Sequence, residues 1–258
     1  MPFISASTEG AVRVLKLDRP EKFNSFNREM ALTLQAELDL AAADENIRAV
    51  LITASGKAFC AGQDLSEAIA PDGPGIRKIV AEHYNPIIRK LRAIEKPVVC
   101  AVNGVAAGAG ASLALACDIV VASKSAAFIQ AFSKIGLIPD SGATFLLPRL
   151  VGFHRAAALM MTAEKVTADE ALHLGLVFKV FHDEEFATEA MRFTEGLAAM
   201  PTRGLGLTKR LLNAGLDNSL DEQLDLEEQI QAEAASTEDH KEGVEAFLQK
   251  RQPQFNGR

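Results

Sequence analysis

The chain has 258 residues, 48% of them apolar and 24% charged, the balance of an ordinary globular protein long enough to bury a sizeable core. Lys and Arg number 27 against 34 Asp and Glu, a formal charge of −7, which excludes a nucleic-acid-binding basic stripe and leaves any anionic ligand to local features. No apolar run reaches about 18 residues without a charge, so no transmembrane helix is expected.

The first fourteen residues lack a basic flank and a continuous apolar stretch, so they do not read as a signal peptide, and a cytoplasmic protein is expected. Val12 to Leu17 alternates and is β-rich, a strand. Asn24 to Asn27 offers capping residues, and Met30, Leu34, Leu38 and Ala41 follow at helical spacing. Arg48 to Thr53 is a second strand, and Lys57 to Leu65 is a loop around Gly62. Ile76, Val80, Ile87 and Leu91 predict a helix interrupted or shifted near Pro86. Pro97 to Val102 is apolar throughout, a strand covered on both faces. Asn103 to Ala111 is a Gly/Ala-rich turn, with a helix from Ser112 to Ala116 and a strand from Asp118 to Ala122. Gly136 to Gly142 is a loop leading into a helix through Phe145, Leu146 and Leu147. Val177 to Phe181 is the last strand. The rest is helical, with Leu197, Leu205, Leu211, Leu220, Leu224 and Phe247 as candidate apolar contacts. Strands alternating with helices for about 180 residues, then a helical tail, define an α/β protein with its one plausible boundary near Met200 and Pro201.

Several familiar chemistries find no support. Gly108-Ala109-Gly110 follows a strand, but the third glycine of a dinucleotide fingerprint would fall on Leu113. The five histidines form no ligand cluster, so no metal is expected. Cys60, Cys100 and Cys117 read as buried reduced thiols. A hydrolase using Ser141 or Cys60 lacks a histidine at any recognisable spacing. Two loops stand out. Backbone N–H groups uncovered at Gly62 and at Gly108–Gly110 would stabilise an oxyanion if they converged; tight helix-on-strand packing explains the glycines equally well. Asp140 sits among Leu137, Ile138, Phe145 and Leu146. Burial there would raise its pKa and fit it for proton transfer, although Asp140 or Ser141 could simply cap the next helix.

Arg19-Pro20 with Asn24, the run Phe59-Cys60-Ala61-Gly62-Gln63-Asp64-Leu65, Lys96-Pro97, Asn103-Gly104 through Gly110, Cys117-Asp118-Ile119, Gly136-Leu137-Ile138-Pro139 and Phe247 to Arg251 occur here in one order along the chain. In that order they resemble the crotonase, or enoyl-CoA hydratase/isomerase, family. The resemblance implies a ββα spiral core over residues 1–200 and a helical C-terminal trimerisation region over 201–258, assembled as a trimer or a dimer of trimers. It implies an acyl-CoA substrate whose CoA is part of the substrate, with no separate cofactor. It places the oxyanion-binding amides on Gln63 and Ala109, and the adenine end of CoA against the loop carrying Ala61, Asp64 and Leu65. Gly110 belongs to the same turn as Ala109. Phe132, Ile138 and Phe145 are candidate acyl-pocket walls, and Phe247 and Lys250 of the tail would reach CoA.

The departures from the family are informative. The two glutamates that activate water in family hydratases align with Ser112 and Phe132, neither of which can act as a base. Asp140 aligns with the acid that moves protons in family isomerases. An isomerase rather than a hydratase is therefore implied. A double-bond isomerase of fatty-acyl thioesters and a non-catalytic acyl-CoA-binding subunit are the alternatives. Because main-chain donors survive side-chain exchange, Gln63→Ala is expected to be mild.

Overall fold

In a computed structural model, which describes residues 3–258, the strands are β1 (Ile4–Glu9), β2 (Val12–Leu17), β3 (Ala49–Ala54), β4 (Ala58–Cys60), β5 (Val98–Val102), β6 (Val105–Ala107), β7 (Ile119–Ser123), β8 (Ala127–Ile129), β9 (Lys165–Thr167) and β10 (Lys179–Phe181). The helices are α1 (Arg28–Ala43), α2 (Leu65–Ala68), α3 (Gly75–Lys78), α4 (Asn85–Ala93), α5 (Ala109–Ala116), α6 (Ala143–Val151), α7 (Phe153–Thr162), α8 (Ala168–His173), α9 (Phe186–Ala198), α10 (Thr202–Ala214), α11 (Leu220–Ala235) and α12 (Glu238–Gln249).

The strands form a six-stranded sheet, ordered β1-β2-β3-β5-β7-β10, and a four-stranded sheet, ordered β4-β6-β8-β9. Strand β1 runs antiparallel to β2, and β9 antiparallel to β8; every other pairing is parallel. The chain lays one strand in the large sheet and the next in the small one, as β3 then β4, β5 then β6, and β7 then β8. A helical segment separates each pair from the next, so the path is a spiral of ββα units. Strand β5 is buried at every position, which accounts for its unbroken apolar run.

Helix α1 starts where its cap predicts: the Asn27 side chain accepts the Met30 N–H at 2.9 Å, and Met30, Leu34, Leu38 and Ala41 are all buried. Helix α5 begins at Ala109, three residues before the expected start, because Gly108 supplies the turn with φ +54°. Strands β1, β4, β6, β8 and β9 lie in segments not read as strands. Leu220, Leu224 and Phe247, expected to be packed, are exposed on α11 and α12.

The motif residues Arg19 and Asn24 build the fold. Asn24 is fully buried; its amide donates to the carbonyls of Ser55 and Ala58, each at 2.8 Å, and its Oδ1 accepts the Arg19 N–H. Helix α9 packs on the large sheet, and α10 packs on α4 and the loop that follows it. At Gly206 in α10 an added Cβ would lie 2.4 Å from the Glu95 carbonyl oxygen, so the backbones touch there. No helix among the described residues is long and apolar enough to cross a membrane. No group of three or more His, Cys, Asp or Glu among them is placed to hold a metal ion.

Candidate active site

Two turns meet at one end of the small sheet. In the first, Phe26 N–H donates to the Gly62 carbonyl at 2.7 Å and Asp64 N–H donates to the Phe26 carbonyl at 2.8 Å. These two bonds flank Gln63, so in parallel-bridge geometry the Gln63 N–H faces away from Phe26. In the second turn, Ser112 N–H makes the first bond of α5, to the Gly108 carbonyl at 3.1 Å. Ala109 is the first helical residue, and its N–H has no intrahelical partner. A Cβ placed on Gly62 would lie 3.5 Å from the Ala109 nitrogen and 3.2 Å from the Ala107 carbonyl oxygen, which shows how closely the turns approach. Only glycine, here at φ +92°, lets the chain pass.

Gly62, Gln63, Gly108 and Ala109 share a cavity of about 230 Å³ with Asp140. Ala61, Leu65, Ile76, Ile79, Val80, Tyr84, Phe132, Ile135 and Leu137 supply most of the remaining wall. Asp140 is the one carboxylate in that lining, and the lining contains no histidine. Burial pushes the Asp140 carboxyl above the usual aspartate range; the Ser141 hydroxyl, donating to Oδ1 at 2.9 Å, only partly offsets this. The helix-cap explanation of Asp140 fails. Gly142, at φ +79°, occupies the N-cap of α6, with no side-chain capping bond. Ser141 and Gly142 are both left-handed, and this double turn carries the chain away from the cavity just after Asp140.

Six of the sequence-derived site residues thus come together: Ala61, Gln63, Leu65, Ala109, Phe132 and Asp140. The other six lie outside the cavity. Asp64 caps α2 through the Ser66 N–H and pairs with Arg19 at 2.8 Å. Burial alone would raise its pKa, but the Arg19 and Ser66 contacts outweigh that and hold it below the usual range. Gly110 is a packing residue: an added Cβ would sit 2.4 Å from the Cys60 carbonyl oxygen. Ile138 is 78% exposed, and Phe145 lies on the outer side of α6 with the Arg149 guanidinium 3.7 Å from its ring centroid. Phe247 borders a separate depression among α10, α11 and α12, and Lys250 ends α12 in a left-handed turn.

Leu137, expected beside Asp140, does line the cavity, whereas the sequence reading gave Tyr84, Ile76, Ile79, Val80 and Ile135 no place in the site. Tyr84 is the only tyrosine in the chain, which is the one signal that pointed to it. Ser112 is fully buried with its hydroxyl on the Gly108 carbonyl, outside the cavity. The Cys60 thiol is pushed up to about 12 by burial, which removes it as a nucleophile.

A spiral of ββα units whose two inner turns leave main-chain amides free beside one half-buried carboxylate defines an α/β protein of crotonase fold with a small-ligand cavity. The family model for enoyl-CoA hydratase/isomerase matches residues 7–258. The chain is 48% identical, over all of both chains, to 1,2-epoxyphenylacetyl-CoA isomerase of Escherichia coli K12. It is 36% identical to short-chain-enoyl-CoA hydratase of Clostridium acetobutylicum, covering 94% of this chain and 93% of that one. A crystal structure of enoyl-CoA hydratase from Bacillus anthracis superposes with a TM-score of 0.94 at 32% identity, over 99% of this chain and 100% of that one. The chain belongs to the enoyl-CoA hydratase/isomerase family.

Proposed function

We propose that the protein is an acyl-CoA isomerase in which Asp140 moves a proton beside a thioester held by the Gln63 and Ala109 amides. The observation that carries this reading is the single carboxylate of the cavity, set among apolar walls and in the same cavity as two amides without helix or strand partners. A proton on carbon next to a thioester is acidic only if the resulting enolate is stabilised. In sites of this kind one main-chain or side-chain donor supplies roughly 2.7–4 kcal/mol of that stabilisation. A base with a raised pKa then suits the proton transfer. Water addition would need further carboxylates to hold and activate water, and Ser112 and Phe132 supply none.

The substrate we favour is 1,2-epoxyphenylacetyl-CoA, in line with the 48% identity to the Escherichia coli isomerase. The ring expands to the oxepin when the C–C bond shared with the epoxide breaks and both C–O bonds are kept, while Asp140 takes the α-proton to form the enolate and gives it back to a ring carbon. The product is an isomer, so the proton returns to the ligand and no separate cofactor is needed. A second reading uses the same groups: a 3-enoyl thioester, its proton carried by Asp140 from C2 to C4. Leu65, Ile76, Val80 and Ile135 make the same wall suitable for an alkyl chain. Assembly as a trimer or a dimer of trimers is part of the proposal, supported by the exposed apolar side chains of Phe153, Met161, Phe247 and Leu248.

Purified protein incubated with the ring epoxide, 3-hexenoyl-CoA and crotonyl-CoA tests the reading. Isomers of the first or second, identified by mass and ultraviolet spectrum, are expected, with little hydration of the third. Fast hydration of crotonyl-CoA without isomerisation overturns it. Light scattering on the same preparation is expected to give the mass of three or six chains; a monomer removes the assembly.

A further inference from the structure

The sequence treats the Gln63 side chain as a bystander, since only its main-chain amide faces the ligand. The structure ties that side chain at both ends. Its Nε2 donates to the Glu67 carboxylate at 2.8 Å, and its Oε1 accepts the Tyr84 hydroxyl at 3.1 Å. Glu67 is anchored in turn, accepting the Arg28 N–H at 2.9 Å. Tyr84 is 1% exposed, lines the cavity and stacks obliquely on Phe26, their ring centroids 5.8 Å apart. Phe26 is the residue whose backbone brackets Gln63 from the other side.

The helix that carries Tyr84 is distorted to deliver it. Residues Ile79–Tyr84 form a π-helical turn between α3 and α4. The turn closes with the Asn85 N–H on the Val80 carbonyl, and Pro86, next in the chain, has no N–H to offer the Glu82 carbonyl four residues earlier. The Gln35 side chain takes that place, donating to the carbonyls of Glu82 at 2.8 Å and His83 at 3.1 Å. Such turns change which residue faces inward, and they are common at functional sites.

We propose that Tyr84 is a positioning residue. Its hydroxyl fixes the Gln63 side chain and thereby the aim of the Gln63 amide at the thioester oxygen. The inference rests on the proposed role of that amide. A donor that must meet a developing charge loses much of its value when it is displaced or mobile, because preorganisation is the source of its effect. Tyr84→Phe keeps the ring and its packing and removes only the tether. Gln63→Ala then becomes more than mild, since it removes the same tether from the other end.

Two measurements test this in the full-length protein. On the thioester that the parent isomerises, Tyr84→Phe is expected to lower kcat about tenfold, within the loss caused by deleting a donor outright, while KM stays within about twofold. In a Gln63→Ala background the same substitution is expected to have no further effect, because the tether is already gone. Glu67→Ala, at the half-buried far end, is expected to move kcat in the same direction by less. The second measurement needs no turnover: 4-dimethylaminocinnamoyl-CoA absorbs at longer wavelength when donors polarise its carbonyl. Tyr84→Phe is expected to shrink the red shift seen with the parent. A parent that shifts the chromophore but isomerises nothing overturns the proposed function and leaves the tether standing. An unshifted chromophore with the parent, an unchanged shift in Tyr84→Phe, a rise confined to KM, or an equal loss of kcat with and without the Gln63 side chain overturns the role of Tyr84.

Discussion

Asp140→Asn is expected to lower isomerisation by roughly 10²–10⁴-fold, the usual contribution of a positioned general base, and to leave the protein folded and somewhat more resistant to heat. Both halves follow from one feature. The Asp140 carboxyl titrates above the ordinary aspartate range because burial disfavours its charged form, with the Ser141 hydroxyl pulling weakly the other way. A group whose pKa is raised on folding binds its proton more tightly in the folded state. The stability this contributes is complete below the unfolded pKa and is lost as pH rises through the folded pKa. At neutral pH the ionised carboxylate is therefore a cost, and the neutral amide removes it while its Oδ1 can still accept the Ser141 hydroxyl. Melting temperatures should show a gain at pH 7 that shrinks as pH falls toward 4. The same raised pKa sets the acid limb of kcat/KM for the parent, which should lie above the ordinary aspartate range. A folded Asp140→Asn protein with parental turnover removes Asp140 from the chemistry. Equal melting temperatures at every pH remove the claim that its charge is held at a cost.

The site was legible where the chain punctuates itself. Gly62 and Gly108 mark the two turns, and the family resemblance then assigned Ala61, Gln63, Leu65 and Ala109 on them to the site. The pocket wall was only partly legible by adjacency. Ile138 and Phe145 flank Asp140 in the sequence, but the Ile138 side chain is exposed, and after Asp140 the left-handed pair Ser141 and Gly142 redirects the chain and leaves Phe145 outside the cavity. Phe132, Ile135 and Leu137, just before Asp140, supply one side of the wall, and the segment Ile76–Tyr84, about 60 residues away in the sequence, supplies the other. The orientation of that segment depends on a helical irregularity that periodicity does not report. The central strands of the large sheet were legible because they are five or six residues long and apolar. Strands β4, β6, β8 and β9 have three residues each, too few to show any period, and β1 is a mostly polar edge strand. The alternation between two sheets could be drawn only from the family resemblance.

A buried ion pair ties α10 to the strands of the large sheet. Lys209 of α10 reaches through to Asp118, at the start of β7, with Nζ 2.7 Å from Oδ2 and 2.6 Å from the Leu91 carbonyl. Asp118 also accepts the Val98 N–H at 2.9 Å, so a single carboxylate joins β5, β7 and α10. Burial pushes Asp118 up and Lys209 down, each toward its neutral form, and their mutual attraction recovers only part of that. Lys209→Met is therefore expected to cost roughly 3–5 kcal/mol at neutral pH, because it strands a buried carboxylate whose remaining cation, Arg92, is 3.6 Å away. Most of the loss is the cost of an unpaired charge, so it depends on ionisation. The stranded Asp118 should titrate higher still, and the deficit should diminish as pH falls and the carboxyl takes up its proton. Lys209→Met combined with Asp118→Asn, which keeps an acceptor for Val98 and carries no charge, should recover most of the loss even at pH 7. Urea unfolding of the parent and both variants at pH 5 and pH 8 decides the matter. If the single variant loses equally at both pH values, or the double variant is no more stable than the single, the pair acts as packing and its charges are incidental.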